Sequence, residues 1–145
     1  MFLDSFPFMS SSLDSLVGNL PGDALRHSGE VFQGTQLKLM KKNGTYPFDH
    51  MDSTTRFKEA ELPPQEAFYS ILNVEHLSDE AYQHAKNVWS AFSLKTMGDY
   101  HDLYLKSDVL LLADVFENFR RTCRQCYKLD SCHYFTSSVL AWDAI

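Results

Sequence analysis

The sequence has little of what would place it outside the cell or in a bilayer. Its 145 residues hold three cysteines, an odd number that cannot all pair within one chain. The opening MFLDSFPFM lacks the basic segment and apolar run of a secretory signal. No stretch reaches the roughly 20 apolar residues of a membrane-crossing helix. These absences point to a reducing compartment and an intracellular, non-secreted protein without a membrane partner. Nucleus, virus-infected cytoplasm and organelle all stay open. The phosphate-cradling patterns G-x-x-x-x-G-K-[ST] and G-x-G-x-x-G do not occur, nor does the nucleophile elbow G-x-S-x-G. Nucleophilic catalysis therefore has no support. Basic residues are outnumbered, with 13 Lys and Arg against 19 Asp and Glu and a net charge of −6. That balance argues against a free-standing nucleic-acid binder, because phosphate contact is driven by Lys and Arg.

What is present suffices for a packed core. Apolar residues make up 44% of the chain, with eleven Phe and seven Tyr, so wholesale disorder is excluded. Residues 1–9 read as a short apolar strand through Phe2, Leu3, Phe6, Phe8 and Met9. Ser10 to Ser12 then cap a short helix over 13–20, closed by Pro21 and Gly22. Residues 21–56 are loop-like, and TQLKLMKK within them reads as a short strand or a helical turn. KNGTYPFDHMDS is a turn-rich connection. In ELPPQEAFYSIL, prolines stand just before a helix, where they are tolerated. LSDEAYQHAKNVWSAF has Ser78 as cap and acids in its first turn. A long helix is expected over 97–128, with Arg120, Arg121, Arg124 and Lys128 near its C-terminal end, where positive charge suits the dipole. SSVLAWDAI opens a last helix, with Ser137 or Ser138 as cap.

Within the long helix, Leu105, Val109, Leu112, Val115, Phe116 and Phe119 recur at three- and four-residue steps, an apolar stripe. Asp108 falls on that stripe, and Tyr104 shares its face one turn earlier. A lone carboxylate is costly to bury unless it is paired, hydrogen-bonded or metal-bound. A carboxylate in an apolar wall can bind a divalent metal, and a neighbouring phenol can orient water for attack on a phosphodiester. The plainer reading is an Asp hydrogen-bonded to backbone or Arg.

Three further groups are candidates. Cys123, Cys126, Cys132 and His133 have zinc-ligand residue types, but the first two lie in a continuing helix with no turn between them, and no zinc is expected. Lys38, Lys41 and Lys42 precede a glycine turn and would either neutralise a phosphate or form a solvated face. Ser5 and Phe6 would hold and stack a DNA single strand, or simply pack.

Taken in order, FLDSFPFMSSSLDSL, KNGTYPFDHMDS, ELPPQEAFYSIL, YHDLYLKSDVLLLADVFENFR and YKLDSCHYFTSSVLAWDA resemble the family B DNA polymerases that prime with a protein, found in viruses, organellar plasmids and self-synthesising DNA transposons. The likeness covers nearly the whole chain. It implies a fragment of a ribonuclease-H-like 3′–5′ exonuclease domain, of α/β class, this piece mostly helical with one or two N-terminal strands. Residues 1–128 would be the C-terminal part of that domain, and 129–145 the start of the connection to the polymerase part. YLKSD is similar to the third exonuclease motif, Y-x-x-x-D. The resemblance makes Asp108 a metal ligand and Tyr104 the phenol that orients the attacking water. SFPFM resembles the single-strand binding motif, with Ser5 in place and Phe6 where the family has Leu. Lys42, with Lys41 as the alternate, resembles a lysine that assists the nuclease step.

The implied function is DNA replication by a DNA-directed DNA polymerase with proofreading. Its cofactor would be Mg²⁺ or Mn²⁺. Its partners would be template and primer DNA, deoxynucleoside triphosphates and a terminal priming protein. The motifs D-x-E, D-x-x-S-L-Y-P and K-x-x-x-N-S-x-Y-G are absent from the chain and are expected upstream and downstream of it. The alternative expectation is a non-enzymatic helical module, a remnant of a mobile-element polymerase.

Overall fold

Short helices at both ends of the chain and two longer ones between them account for its architecture. The computed structural model describes residues 5–42 and 44–145. In chain order the α-helices are α1 (Leu13–Gly18), α2 (Arg26–Val31), α3 (Thr35–Met40), α4 (Asp79–Ala91), α5 (Met97–Tyr127) and α6 (Ser137–Asp143). Turns of 3₁₀-helix occupy Thr54–Lys58, Gln65–Phe68 and Ser131–His133. Two compact units divide the chain: Met1–Val31 with Leu110–Ile145, and Phe32–Val109. Residues on both sides of the expected 128/129 boundary fall in the first of these.

The α/β expectation is overturned. Among the described residues there is no named strand, and the β-pairing is one isolated antiparallel bridge between Ser70 and Glu75. No ribonuclease-H-like sheet is built from them. Part of the expected leading strand, residues 1–4, lies outside the described residues. The remainder is a tight turn, in which Phe8 N donates to Ser5 O at 3.0 Å and Met9 N to Phe6 O at 3.2 Å. Pro7 explains this: it has no N–H for a strand ladder and its fixed φ suits the second position of the Phe6–Met9 turn. TQLKLMKK, open between strand and helix, is helical as α3.

Helix ends follow local chemistry closely. Ser12 caps α1 by accepting from Ser15 N, and Ser78 caps α4 by accepting from Ala81 N. Thr136, one residue before the expected serines, caps α6. At the start of α5, Thr96 Oγ1 accepts from Asp99 N at 3.2 Å while Asp99 Oδ2 accepts from Thr96 N at 2.9 Å, a reciprocal capping box. Met97 N donates to Glu59 O at 2.8 Å. Gly98 permits that approach, since a Cβ there would lie 3.2 Å from Phe57 O. Lys128, at φ +61°, turns the chain out of α5.

In the first unit, Val17, Leu25, Leu111 and Val115 form a buried cluster, backed by Met9, Leu13, Leu16 and Leu20. Beside it lies the acid that is truly interior. Asp114 is 1% exposed, and its two carboxylate oxygens accept from His27 N at 2.8 Å and Ser28 N at 2.9 Å. An acid from α5 therefore caps α2, taking up amides that a helix N-terminus leaves unpaired. Arg120 grips Asp130 through Nε at 2.8 Å and Nη2 at 2.9 Å, and Arg124 adds a contact at 2.7 Å. This fork holds the segment after α5 against the helix. It also keeps the Asp130 carboxyl well below the usual carboxylate range, with the Arg120 hydrogen bonds as the main cause.

In the second unit, α3 packs on α4. Phe32 meets Phe92 edge-on with ring centres 5.8 Å apart, Phe68 meets Tyr82 at 5.8 Å, and Trp89 lies 6.0 Å from Tyr100.

Asp114→Ala removes the acceptor of the His27 and Ser28 amides, the second of them buried, and is expected to lower unfolding free energy by about 2–4 kcal/mol. Equilibrium urea unfolding measures it, and a change below about 0.5 kcal/mol would contradict the capping role. The Asp130 fork has its own acid signature. A lowered folded pKa means its contribution is present above the unfolded carboxyl value and is lost as pH falls through the folded one. Amide exchange over residues 129–135 should thus stay slow until the pH is below the ordinary carboxylate range. In Asp130→Asn it should be fast already at neutral pH.

Candidate functional site

Asp108 does not lie on the buried line of α5. That line runs through Tyr100, Ser107, Leu111 and Asp114, one residue, or about 100° of helix, away from Leu105, Asp108 and Leu112. Of the expected stripe, Val115 is buried, whereas Leu105, Val109 and Leu112 are 47%, 66% and 40% exposed. Asp108 is half-buried at the margin and makes no hydrogen bond or ion pair with another described residue. Desolvation holds its carboxyl above the ordinary range. The plainer reading, a partner in backbone or Arg, is not what is found for Asp108; it describes Asp114 instead.

Tyr104 is also half-buried. Its phenol is raised first by burial, then by the negative charge of Asp108 and by Tyr46. It therefore stays protonated at neutral pH, able both to donate and to accept a hydrogen bond. The ring is held by the GTYPF turn. Tyr46 stacks on it with centres 4.9 Å apart and planes at 25°, and Phe48 meets it edge-on at 6.1 Å. Gly44 lies beneath its edge, where a Cβ would come within 3.3 Å of Tyr104 Cδ2.

The remaining candidates are dispersed. Lys42 is exposed and borders a shallow recess with Asp79, Glu80, Gln83, His84 and Asn87. The His84 imidazole is held below its usual pKa by burial and then by the Lys42 charge. No ion pair joins Lys42 to Asp108 among the described residues. Ser5 and Phe6 lie in the other compact unit. The Ser5 carbonyl closes the Phe6–Phe8 turn, and Phe6 is 60% exposed. Cys123 is buried, Cys126 exposed and Cys132 half-buried. Among the described residues no group of three or more His, Cys, Asp and Glu is placed to hold a metal ion. A pair of catalytic ions needs several carboxylates, so Asp108 alone does not make up that site, and no catalytic step follows from these residues by themselves.

Sequence reasoning missed Tyr46, Phe48, Tyr100 and His101 as neighbours of the pair. The available signal was the spacing of Tyr100 and Tyr104, one turn apart on the same helix face. No protein-family profile, curated protein or solved structure matches the chain. No helix among the described residues is long and apolar enough to cross a membrane.

The Asp108 carboxyl titrates above its unfolded value, so the folded state loses stability as pH rises from the unfolded toward the folded pKa. Asp108→Asn removes that cost. The variant should melt about 1–3 °C higher at pH 7 and no higher at pH 3. A difference independent of pH in calorimetry would contradict desolvation as the cause.

Proposed function

We propose that the chain is a segment of a DNA-directed DNA polymerase of family B, of the protein-primed kind, drawn from its 3′–5′ proofreading region and leading toward the polymerase part. The ordered sequence blocks support this reading. The observation that carries it is the pair on α5: a protonated, half-buried phenol one turn before a half-buried carboxylate that no other described side chain engages. A carboxylate kept in that state is poised for a ligand from outside the segment. In the complete enzyme Asp108 is one metal ligand and Tyr104 the water-orienting group. Further carboxylates come from a D-x-E segment upstream. Mg²⁺ or Mn²⁺ supplies charge stabilisation when bound there. Template and primer DNA and deoxynucleoside triphosphates are the substrates, and a terminal protein is the priming partner. Polymerisation is in-line attack of the primer hydroxyl on the α-phosphate, which breaks the α–β bond and releases pyrophosphate; proofreading is hydrolysis of the last phosphodiester.

A second reading, a helical remnant acting as a non-enzymatic interaction module, is favoured by the exposure of Leu105, Val109 and Leu112 on the outer side of Asp108. The genomic and transcript sequence flanking the reading frame separates the two. D-x-E upstream and D-x-x-S-L-Y-P downstream in one frame support the polymerase; stop codons on both sides support the remnant.

The 145-residue chain alone is expected to leave single-stranded DNA intact in Mg²⁺ or Mn²⁺. Metal-dependent degradation by the purified chain, abolished by Asp108→Ala, would overturn the assignment of the missing carboxylates to other segments.

A further inference from the structure

The rings of Tyr46, Tyr100 and Tyr104 cluster together, and Tyr104 among them stands one turn before Asp108. Tyr100 and Tyr104 stand one turn apart on α5, and the Tyr46 ring from the GTYPF turn stacks against both. Tyr46 is nearly parallel to Tyr100, at 8° with centres 6.4 Å apart, and lies 4.9 Å from Tyr104. Two hydrogen bonds hold the Tyr46 ring and its backbone. The Tyr46 hydroxyl and His101 Nδ1 are 2.7 Å apart, and the Tyr100 hydroxyl donates to Thr45 O at 2.6 Å. The first fixes the far end of the ring, and the second fixes the backbone that carries it. Tyr104 has no such hydrogen bond of its own to another described residue. Its ring is oriented by the faces of Tyr46 and Phe48 and by the open edge at Gly44.

We infer that Tyr46, through the stacking of its ring on Tyr104, is the positioning residue that sets the Tyr104 ring for the nuclease step. The inference rests on the functional reading above. The phenol acts on the water and Tyr46 acts through the phenol, so Tyr46 is not itself a catalytic group. Pre-set geometry of this kind matters because displacing a reacting group by about 1 Å can cost on the order of 100-fold in rate. Gly44 belongs to the same device: a methyl there would meet the Tyr104 ring at 3.3 Å and push it without touching Tyr46.

The test uses two preparations. In this chain, ring proton shifts of Tyr104 report the stack directly. They should move on Tyr46→Leu and be largely kept in Tyr46→Phe, which preserves the ring and removes the His101 bond. In the enzyme translated from the complete reading frame, hydrolysis of single-stranded DNA should lose about 10- to 100-fold in kcat on Tyr46→Leu, with KM little changed. Tyr46→Phe should recover most of that loss. In a Tyr104→Phe background, Tyr46→Leu should cost nothing further, because a residue that acts only through Tyr104 has nothing left to act on. Gly44→Ala serves if Tyr46→Leu does not fold, with a smaller loss that also vanishes in Tyr104→Phe. Losses that multiply with that of Tyr104→Phe, or unmoved Tyr104 shifts in Tyr46→Leu, would overturn the inference alone. Hydrolysis that survives Asp108→Asn would overturn the functional reading, and the ring shifts would still decide whether Tyr46 holds Tyr104.

Discussion

The carboxylate of Asp114, itself with almost no access to water, bridges sequence positions far apart by accepting from the amides of His27 and Ser28. A six-residue helix such as α2 has too few internal bonds to persist alone, and its first amides need acceptors. Asp114 supplies both oxygens from the middle of α5, and the apolar cluster of Val17, Leu25, Leu111 and Val115 closes around that junction. A polar group buried so completely is tolerable because both its oxygens accept hydrogen bonds from backbone amides. Remove either side of the arrangement and the other becomes a buried unpaired group. The packing of the first unit thus joins this contact to its apolar cluster.

The second unit is organised around rings. α5 begins with a reciprocal Thr96–Asp99 cap and an amide handed to Glu59. Its first turns then present Tyr100, His101 and Tyr104 to one loop, and Tyr46 of that loop packs against all three rings. Offset and edge-on ring pairs each add a modest increment beyond their buried area. Several converging on one loop give it a single placement. Asp108 lies one turn beyond this stack, desolvated yet unpaired among the described residues. A carboxylate in that condition costs stability rather than adding to it.

The candidate pair was legible in the chain because two residues four apart on a helix must share a face. Its surroundings were not. Leu105, Val109 and Leu112 looked like the interior because their spacing suits a helix, yet an equally regular line through Tyr100, Ser107, Leu111 and Asp114 is the one buried. Periodicity finds a stripe but cannot rank two stripes a single residue apart when both contain apolar side chains. The lysines before the glycine turn were the part of that loop chosen for chemistry. It is the turn's aromatic residues, Tyr46 and Phe48, that reach Tyr104, while Lys42 borders His84.

Local chemistry in the sequence determined the helices and their ends: Ser12 and Ser78 as caps, prolines ahead of a helical turn, and a long helix ending at Tyr127. Each depends on groups within a few residues, so each can be read along the chain. Strand character at the N-terminus could not be judged in the same way, because a strand exists only if a partner takes its hydrogen bonds, and Pro7 turns the described part of that segment back on itself. Tertiary structure alone decided which acid is interior, which face of α5 is covered, and which ring meets Tyr104. Those outcomes rest on contacts between residues tens of positions apart. Close packing selects among them by shape and by hydrogen-bond satisfaction, and neither is written in the spacing of one helix.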